Sequence, residues 1–198
     1  MPDDFEWCDD DLVVAVELLA DAFQARSVRY ALVGGLALGF RGNPRFTQDV
    51  DVVLNVPPLT LPDLLDDLSK NGFGFDTTTV IHQYVQEHMT VLHFGQIQID
   101  WIKPMLPFYH RAIRDATARL WTDGHSVQVA TTECLIVTKL AAFRLQDQAD
   151  IESLLSANRD TIDVDLIRAE WAAVAAADDE RSVWLEKTIT RLLPSQKE

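Results

Sequence analysis

The run from Asp49 to Leu54 is the part of the sequence that most constrains the fold. It starts with two carboxylates one residue apart and is otherwise apolar. Because successive side chains of a β-strand point to opposite faces, a strand here places Asp49 and Asp51 together, while Val50 and Val52 pack into a core on the other side. Two adjacent carboxylates repel each other unless a cation neutralises them, and Mg²⁺ prefers oxygen ligands. The run therefore predicts a buried strand with a divalent-metal site on one face.

A glycine pair precedes this strand. Residues 28–33 form a short apolar run that predicts another strand, and Gly34 and Gly35 follow it directly, at the start of a run typical of a helix. Glycine permits tight turns and a close approach to the backbone, and the free N–H groups at a helix start attract anions. We expect the phosphates of a nucleotide to bind at Gly34 and Gly35, with their metal ion held by Asp49 and Asp51.

A third carboxylate is expected on a neighbouring strand, because a nucleophile must lose a proton and a metal ion needs further ligands. Residues 90–102 read as two strands joined near Gly95. In the second of them, Ile99 and Trp101 alternate with Asp100, so that the apolar residues face the core and Asp100 faces away from it. Asp100 is therefore the candidate for the third acid.

These motifs, in this order, resemble the polymerase-β-like nucleotidyltransferase superfamily. Its pattern is a strand, a glycine turn, a helix, an Asp-x-Asp strand and a later single acid on a third strand. The resemblance implies an α/β (α+β) fold with a small mixed β-sheet flanked by helices and a helical C-terminal half. It also implies transfer of a nucleoside monophosphate from a nucleoside triphosphate to a hydroxyl group. Mg²⁺, or Mn²⁺ in its place, would be held by the catalytic acids, which are Asp49, Asp51 and Asp100.

Two further stretches are similar to the minimal and AbiE-type toxin nucleotidyltransferases. One is the pattern Arg-x-Thr-x-Asp-x-Asp that begins at Arg45, and the other is the stretch from Leu135 to Leu155. The resemblance covers residues 28–155 and implies a toxin-like role, with tRNA or a protein as the acceptor and a cognate antitoxin as a partner. The residues it implies for nucleotide binding are Gly34, Gly35, Arg45, Thr47, Lys139 and Arg144.

The cations of the second stretch have separate predicted roles. On a helix from about Thr132 to Leu145, Lys139 and Arg144 are five positions apart and so do not share one face. Lys139, a compact point charge, is the preferred contact for a β- or γ-phosphate, with Arg144 or Arg45 assisting. Two acids that follow, Asp147 and Asp150, either orient those cations or cap the next helix.

The charge distribution leaves three functional classes open. The net charge is −14, whereas a nucleic-acid binder normally carries a basic face. Residues 24–51 contain four arginines and two acids, an excess of two positive charges, and residues 101–148 contain six bases and four acids, again an excess of two. This pattern predicts a cationic cleft in an acidic surface, which suits a nucleotide. The alternatives are an antibiotic nucleotidyltransferase that attracts a cationic aminoglycoside, and a non-catalytic antitoxin or binding module with a relic site.

The 198 residues suffice for one compact unit, with a nucleotidyltransferase core at 1–125 and a helical extension at 126–198 packed on it. Helices are expected at 11–23 and 60–70, and two closing helices begin near Asp163 and Asp178. No apolar run reaches the roughly 18 residues of a membrane span. Cys8 and Cys134 are too far apart in sequence to suggest a disulfide framework, so a reducing cytoplasm is the expected compartment.

Overall fold

The computed structural model describes residues 10–45 and 47–194, which form six β-strands and nine α-helices. The strands are β1 (Arg29–Val33), β2 (Asp49–Asn55), β3 (Met89–Phe94), β4 (Ile97–Ile102), β5 (Thr117–Thr122) and β6 (His125–Val129). The helices are α1 (Asp10–Ala25), α2 (Gly34–Phe40), α3 (Leu61–Lys70), α4 (Thr77–His82), α5 (Pro107–Arg114), α6 (Thr132–Ala142), α7 (Leu145–Ala157), α8 (Val164–Ala172) and α9 (Glu180–Leu192). A π-helical turn, Gln83–Glu87, continues α4.

The six strands form one mixed sheet in the order β3-β4-β2-β1-β6-β5. β2 is parallel to β4 and antiparallel to β1, while β1 is parallel to β6. The outer strands, β3 and β5, pair antiparallel with β4 and β6. This sheet with its flanking helices confirms the predicted α/β class of fold.

Helices cover the two faces of the sheet differently. On one face, Trp101 of β4 packs against Phe23 of α1 and Tyr84 of the π-helical turn, and α3 packs on α1. On the other face, α5 packs on β1 and β2, and α2 lies between β2 and α6. The fully buried Val50 and Val52 of β2 point to the first face, because Val52 is the register neighbour of Trp101. The two acids of β2 therefore point to the second face, as the alternation predicts.

The element boundaries confirm most of the predicted helices and correct two of them. α1 and α3 lie where they were expected, although Thr60 precedes α3 without a capping hydrogen bond from its side chain. The helix predicted to run to Leu145 ends at Ala142, because Phe143 takes a left-handed conformation with φ 53°. Arg144 is therefore the N-cap of α7 instead of a member of the Lys139 helix.

The closing helices begin close to the predicted positions. Asp163 caps α8 by accepting a hydrogen bond from the N–H of Leu166. α9 starts one residue later than expected, because Asp179 and not Asp178 is its cap. The proposed division at residue 125 falls at the start of β6, which is a strand of the sheet, so core and extension share that strand.

The structure bears on two expectations from composition, the membrane span and the cysteines. None of the helices described is long and apolar enough to span a membrane. Cys134 is a buried free thiol, and burial raises its pKa to about 11. Cys8 lies outside the described residues.

A buried arginine joins α2 to the far half of the sheet. The Arg41 guanidinium donates hydrogen bonds to the carbonyl oxygens of Ala130 and Val129, at 2.8 and 3.0 Å, and to the Thr117 hydroxyl at 2.9 Å. Burial, and secondly the positive charge of Arg119, lower the pKa of Arg41 to about 10, so it stays charged at neutral pH. The side chain therefore fixes the position of α2, and with it the glycine turn, relative to β6.

We predict that Arg41→Met destabilises the fold by about 3 kcal/mol, because it leaves buried carbonyl oxygens without donors. Urea denaturation followed by circular dichroism measures this change. Arg119→Met is the matched control, because the Arg119 side chain is exposed and its positive charge repels that of Arg41. The control should change stability by less than about 0.5 kcal/mol. Equal destabilisation by the two variants would contradict the role assigned to Arg41.

Candidate active site

The register of β2 and β4 brings two of the three predicted acids together. Asp51 lies directly opposite Asp100 on the neighbouring parallel strand, and Asp49 lies opposite Gln98. Side chains of register neighbours project to the same face of a sheet, so all three carboxylates share one face. Gln98 donates a hydrogen bond of 2.9 Å from its Nε2 to Asp100 Oδ1, which orients that carboxylate.

The glycine turn lies against the carboxylate of Asp51. Gly34 has φ +63°, and a Cβ atom added to it would fall 1.8 Å from Asp51 Oδ2. The backbone N–H of Gly35 donates a hydrogen bond to Asp51. Glycine is thus required at position 34 both by its backbone conformation and by the closeness of an acid. Gly35 is equally confined, because a Cβ there would lie 2.9 Å from the Thr47 side chain.

The electrostatics of Asp51 show that the acids repel one another. Burial raises the pKa of Asp51, and the negative charges of Asp100 and Asp49 raise it further. Lys139 and the N–H of Gly35 act in the opposite direction, but they do not cancel these effects. Burial and the neighbouring acids therefore both disfavour the charged form of Asp51 when no cation is bound.

The donor set suits a hard divalent cation. Among the residues described, no group of three or more histidine, cysteine, aspartate or glutamate side chains forms a complete metal site. Asp51 and Asp100 nevertheless face each other, with Asp49 on the same face. Mg²⁺ is commonly held by one or two carboxylates and completes its shell with water and substrate phosphate oxygens. A pair of opposed carboxylates with a raised Asp51 pKa fits that mode of binding.

A cavity of ≈ 150 Å³ opens beside Asp51 and connects it to the cations of the C-terminal half. Its walls come from the ends of β1, β2 and β4, from the glycine turn, and from α5, α6 and α7. They include the predicted residues Gly34, Gly35, Arg45, Asp51, Lys139 and Arg144. Motifs that are far apart in the sequence therefore line one cavity.

Lys139 lies in a buried ion network on one wall of this cavity. Its Nζ atom is 2.7 Å from Asp150 Oδ2 and 3.1 Å from Asp147 Oδ1, and its side chain is only 7 % exposed. Arg45 Nε lies 3.6 Å from the other oxygen of Asp150, and Arg144 Nε lies 2.8 Å from Asp147 Oδ2. Burial by itself would raise the pKa of Asp147, but hydrogen bonding to Arg144 and the charge of Lys139 outweigh it and lower that pKa. The two acids thus bind the cations, and Asp147 also caps α7.

Lys139 and Arg144 differ in their exposure to solvent within this network. Lys139 faces two acids at short range and is almost wholly buried, whereas the Arg144 side chain is 77 % exposed. The guanidinium of Arg144 is therefore accessible to a ligand in the cavity. Thr47 does not line the cavity: it packs over Gly35, and its Oγ1 accepts a hydrogen bond from the N–H of Asp49.

The predicted cationic cleft forms from fewer residues than the local charge count suggested. Arg26 binds Asp63 and Asp67 of α3, and Arg41 is buried between α2 and β6. Arg29 lies at the opposite end of β1 from the glycine turn. Only three of the bases counted in the sequence line the cavity: Arg45, Lys139 and Arg144.

Two residues of the site had no signal in the sequence. Tyr109 lines the cavity from α5, and burial together with the charge of Asp51 raises its pKa. Thr138 lines it from α6, next to Lys139. α5 was not predicted, although Pro107 at its first position is a typical helix start. His93 of β3 lies exposed on the face that carries Asp100.

Comparison with solved structures identifies the fold. An antigenic nucleotidyltransferase-like protein from Paracoccidioides brasiliensis aligns with TM-score 0.54 and 18 % identity over 94 % of this chain and 90 % of that one. The antibiotic-resistance factor ANT(2'')-Ia aligns with TM-score 0.52 and 15 % identity over 90 % and 97 %. The lincomycin-bound lincosamide antibiotic adenylyltransferase LnuA aligns with TM-score 0.52 and 12 % identity over 75 % and 98 %. The fold is that of a nucleotidyltransferase.

The family follows from the sequence. The chain belongs to the family described as nucleotidyltransferase of unknown function (DUF6036), whose pattern matches residues 11–188. The search of curated proteins gives no match. The nucleotidyltransferase family expected from the motifs is thereby confirmed, while membership of the polymerase-β-like superfamily and the narrower likeness to AbiE-type toxins stay predictions.

We predict that Lys139→Met destabilises the protein by about 3 kcal/mol, because it leaves two buried carboxylates without their shared cation. Lys70→Met is the matched control, since Lys70 pairs with Asp66 on the surface and is 67 % exposed. That exposed pair contributes less than about 0.5 kcal/mol. Denaturation in urea compares the two variants, and adding Asp150→Asn to Lys139→Met should restore part of the loss. Similar stability of the two lysine variants would contradict the proposed network.

Proposed function

We propose that the protein transfers a nucleoside monophosphate from a nucleoside triphosphate to an acceptor hydroxyl and releases pyrophosphate. The observation that carries this proposal is the pairing of Asp51 with Asp100 beside Gly34, together with the cavity that Asp51 shares with Arg45, Lys139 and Arg144. Chemistry on a triphosphate needs acids at the reacting phosphate and positive charge along the leaving group. Asp51 supplies an acid and Arg45, Lys139 and Arg144 supply positive charge in the same cavity.

The reaction can be assigned to residues of this chain. Asp100 accepts the proton of the acceptor hydroxyl, whose oxygen then forms a bond to the α-phosphorus. The bond between that phosphorus and the bridging oxygen breaks, and pyrophosphate leaves with the bonding electron pair. Arg144 and Arg45 neutralise the charge that develops on the pyrophosphate. The role first given to Lys139 passes largely to them: Lys139 positions Asp147 and Asp150, which in turn hold the two arginines.

Asp51 and Asp100 would hold Mg²⁺, or Mn²⁺ in its place, with Asp49 on the same face of the sheet. When bound, the ion supplies a Lewis acid at the α-phosphate and lowers the pKa of the attacking hydroxyl. Asp51 is fixed for this task by the N–H of Gly35 and by its contact with Gly34. The absence of a side chain at Gly34 leaves the space that the Asp51 carboxylate itself occupies.

The acceptor that the surface charge favours is a small molecule. With a net charge of −14, the protein repels polyanions and attracts cations. Two of the structural neighbours are an antibiotic-resistance factor and a lincosamide adenylyltransferase, and a further structure of the former contains adenylyl-2''-tobramycin. An antibiotic-type acceptor and ATP as donor are thus the first combination to test.

The toxin-like alternative follows from the resemblance to AbiE-type enzymes. It assigns tRNA or a protein as the acceptor, a cognate antitoxin as a partner, and the cytoplasm as the compartment. The positive charge it requires is confined to Arg45, Lys139 and Arg144 at the cavity, where a triphosphate would occupy it. A non-catalytic module with a relic site is the third alternative, and it predicts that Mg²⁺-ATP does not bind.

Incubation with α-labelled nucleoside triphosphates and Mg²⁺ tests these alternatives together. Tobramycin, lincomycin, bulk tRNA and the protein itself serve as candidate acceptors. We predict labelled product from a small-molecule acceptor, its loss on chelation of the metal, and a decrease of about 1,000-fold in kcat for Asp100→Asn, which removes the general base. Asp66→Asn on the surface of α3 is the control and should retain full activity. Calorimetry that detects no Mg²⁺-ATP binding would refute catalysis and support the relic site.

A second prediction concerns the glycine turn. Gly34→Ala should decrease kcat at least about 100-fold, because the new Cβ collides with Asp51 and displaces the acid from the reacting phosphate. Gly124→Ala is a matched control: Gly124 also has positive φ, +91°, but a Cβ there meets no atom within 4 Å. Both variants carry the same kind of backbone strain, so the difference between their activities measures the contact with Asp51. Equal kcat values would show that this contact has no part in the reaction.

A further inference from the structure

The face that carries the three acids continues beyond them onto an exposed apolar surface. We name this surface the apolar shelf; its residues are Met89, Val91, Ile102, Met105 and Leu106. Met89 is 50 % exposed and Met105 is 52 % exposed. Single exposed apolar residues are common, but a contiguous group beside a functional site indicates a binding surface.

The register of the sheet joins the shelf to the acids. Val91 of β3 is the neighbour of Asp100 on β4, which is in turn the neighbour of Asp51 on β2. One row across three strands therefore reads Val91, Asp100, Asp51. In the next row Met89 is the neighbour of Ile102, which itself lines the cavity beside Asp51. A molecule bound on the shelf would lie next to the proposed general base.

The loop that follows Ile102 carries two further exposed apolar residues, Met105 and Leu106, and Leu106 is the N-cap of α5. This loop joins β4 to α5, and one residue of each element, Ile102 and Tyr109, lines the cavity. Met105 and Leu106 therefore lie in the chain between two residues of the cavity wall.

The described strands β3 and β4 place no lysine or arginine on this surface. Lys103, the first base after β4, is turned to the opposite face, where its Nζ lies 5.7 Å from the centre of the Tyr84 ring. The ionisable neighbours of the shelf on the strand face are Asp49, Asp51, Asp100 and His93. The cations Arg45, Lys139 and Arg144 lie on the other side of Asp51, along α6, α7 and the loop before β2.

We propose that the shelf binds the acceptor, and that this acceptor is a small molecule with an apolar face, uncharged or positively charged, that presents a hydroxyl to Asp100. The proposal rests on the proposed nucleotidyl transfer and names its acceptor class. The distribution of charge selects this class. A triphosphate fits the cationic half of the site, whereas β2, β3 and β4 would present three carboxylates and no lysine or arginine to an RNA backbone on this face. An apolar face instead buries the exposed methyl groups of the shelf.

The methionines make the shelf directly observable. The chain has three methionines, and two of them, Met89 and Met105, belong to the shelf. Labelling with ¹³C-methyl methionine gives three signals, which Met89→Leu and Met105→Leu assign, and the third belongs to Met1. The probes are hexyl β-glucoside and methyl β-glucoside, which carry the same hydroxyl groups and differ only in the apolar chain. Titration without nucleotide reports on the shelf alone, and the labelled-ATP assay reports separately on the chemistry.

We expect hexyl glucoside to shift the Met89 and Met105 signals and to bind at least about tenfold more tightly than methyl glucoside, because only its chain covers apolar surface. Met89→Gln should weaken that binding, as read from the Met105 signal. Leu120→Gln is the matched control, since Leu120 is an exposed residue of β5 at the other edge of the sheet. It should leave binding unchanged.

The outcomes separate the two proposals. Equal binding of both glucosides, or shifts confined to Met1, overturns the shelf, as does label transferred to tRNA in preference to small molecules. Shifts of Met89 that depend on protein concentration alone would assign the surface to a second copy of the chain and also overturn it. If hexyl glucoside binds at the shelf but Mg²⁺-ATP does not bind, the shelf stands as a binding surface and the transfer reaction fails.

Discussion

The parallel pairing of β2 with β4 is the constraint on which the site depends. It sets Asp51 opposite Asp100 although 49 residues separate them in the chain. A shift of this register by one residue would turn Asp100 to the buried face and expose Trp101, which packs against Phe23 and Tyr84. The hydrophobic core on one face therefore fixes the acids on the other. The register that buries Ile99 and Trp101 is also the register that aligns the carboxylates. The geometry that permits chemistry is maintained by packing that has no direct part in it.

The sequence predicted this part of the molecule because strand alternation is a local signal. The pattern around Asp49 and Asp51 and the pattern around Asp100 each assign their own faces, and the glycine pair marks the turn between β1 and α2 without reference to distant residues. Elements whose position depends on tertiary contacts were not foreseen. β5 has a weak alternation because it is an exposed edge strand, and α5, which contributes Tyr109, is too short to show a clear period. The apolar shelf needed the register of β3 with β4, which no single segment contains.

In the stretch from Lys139 to Asp150, the residues were predicted to belong to the site, but their arrangement in two helices was not predicted. A single helix through Leu145 would have placed Lys139 and Arg144 on different faces of one rod. Instead, the left-handed Phe143 starts a new helix, so Arg144 becomes its N-cap and Asp147 closes a capping box with it. The two alternatives for Asp147, orienting a cation and capping a helix, are therefore both true. Since a buried lysine requires paired acids, the depth of Lys139 explains why Asp147 and Asp150 accompany it.

The two sides of the acid-bearing face differ in charge. On one side of Asp51 the wall carries guanidinium groups held by buried acids, and on the other side the strands carry methyl and thioether groups. A triphosphate gains favourable interactions only on the first side, and an apolar group gains them only on the second. A donor and an acceptor that differ in this way would be placed on opposite sides of the acids. In the proposed transfer reaction, such a division of charge would give the two substrates a fixed order around one row of carboxylates.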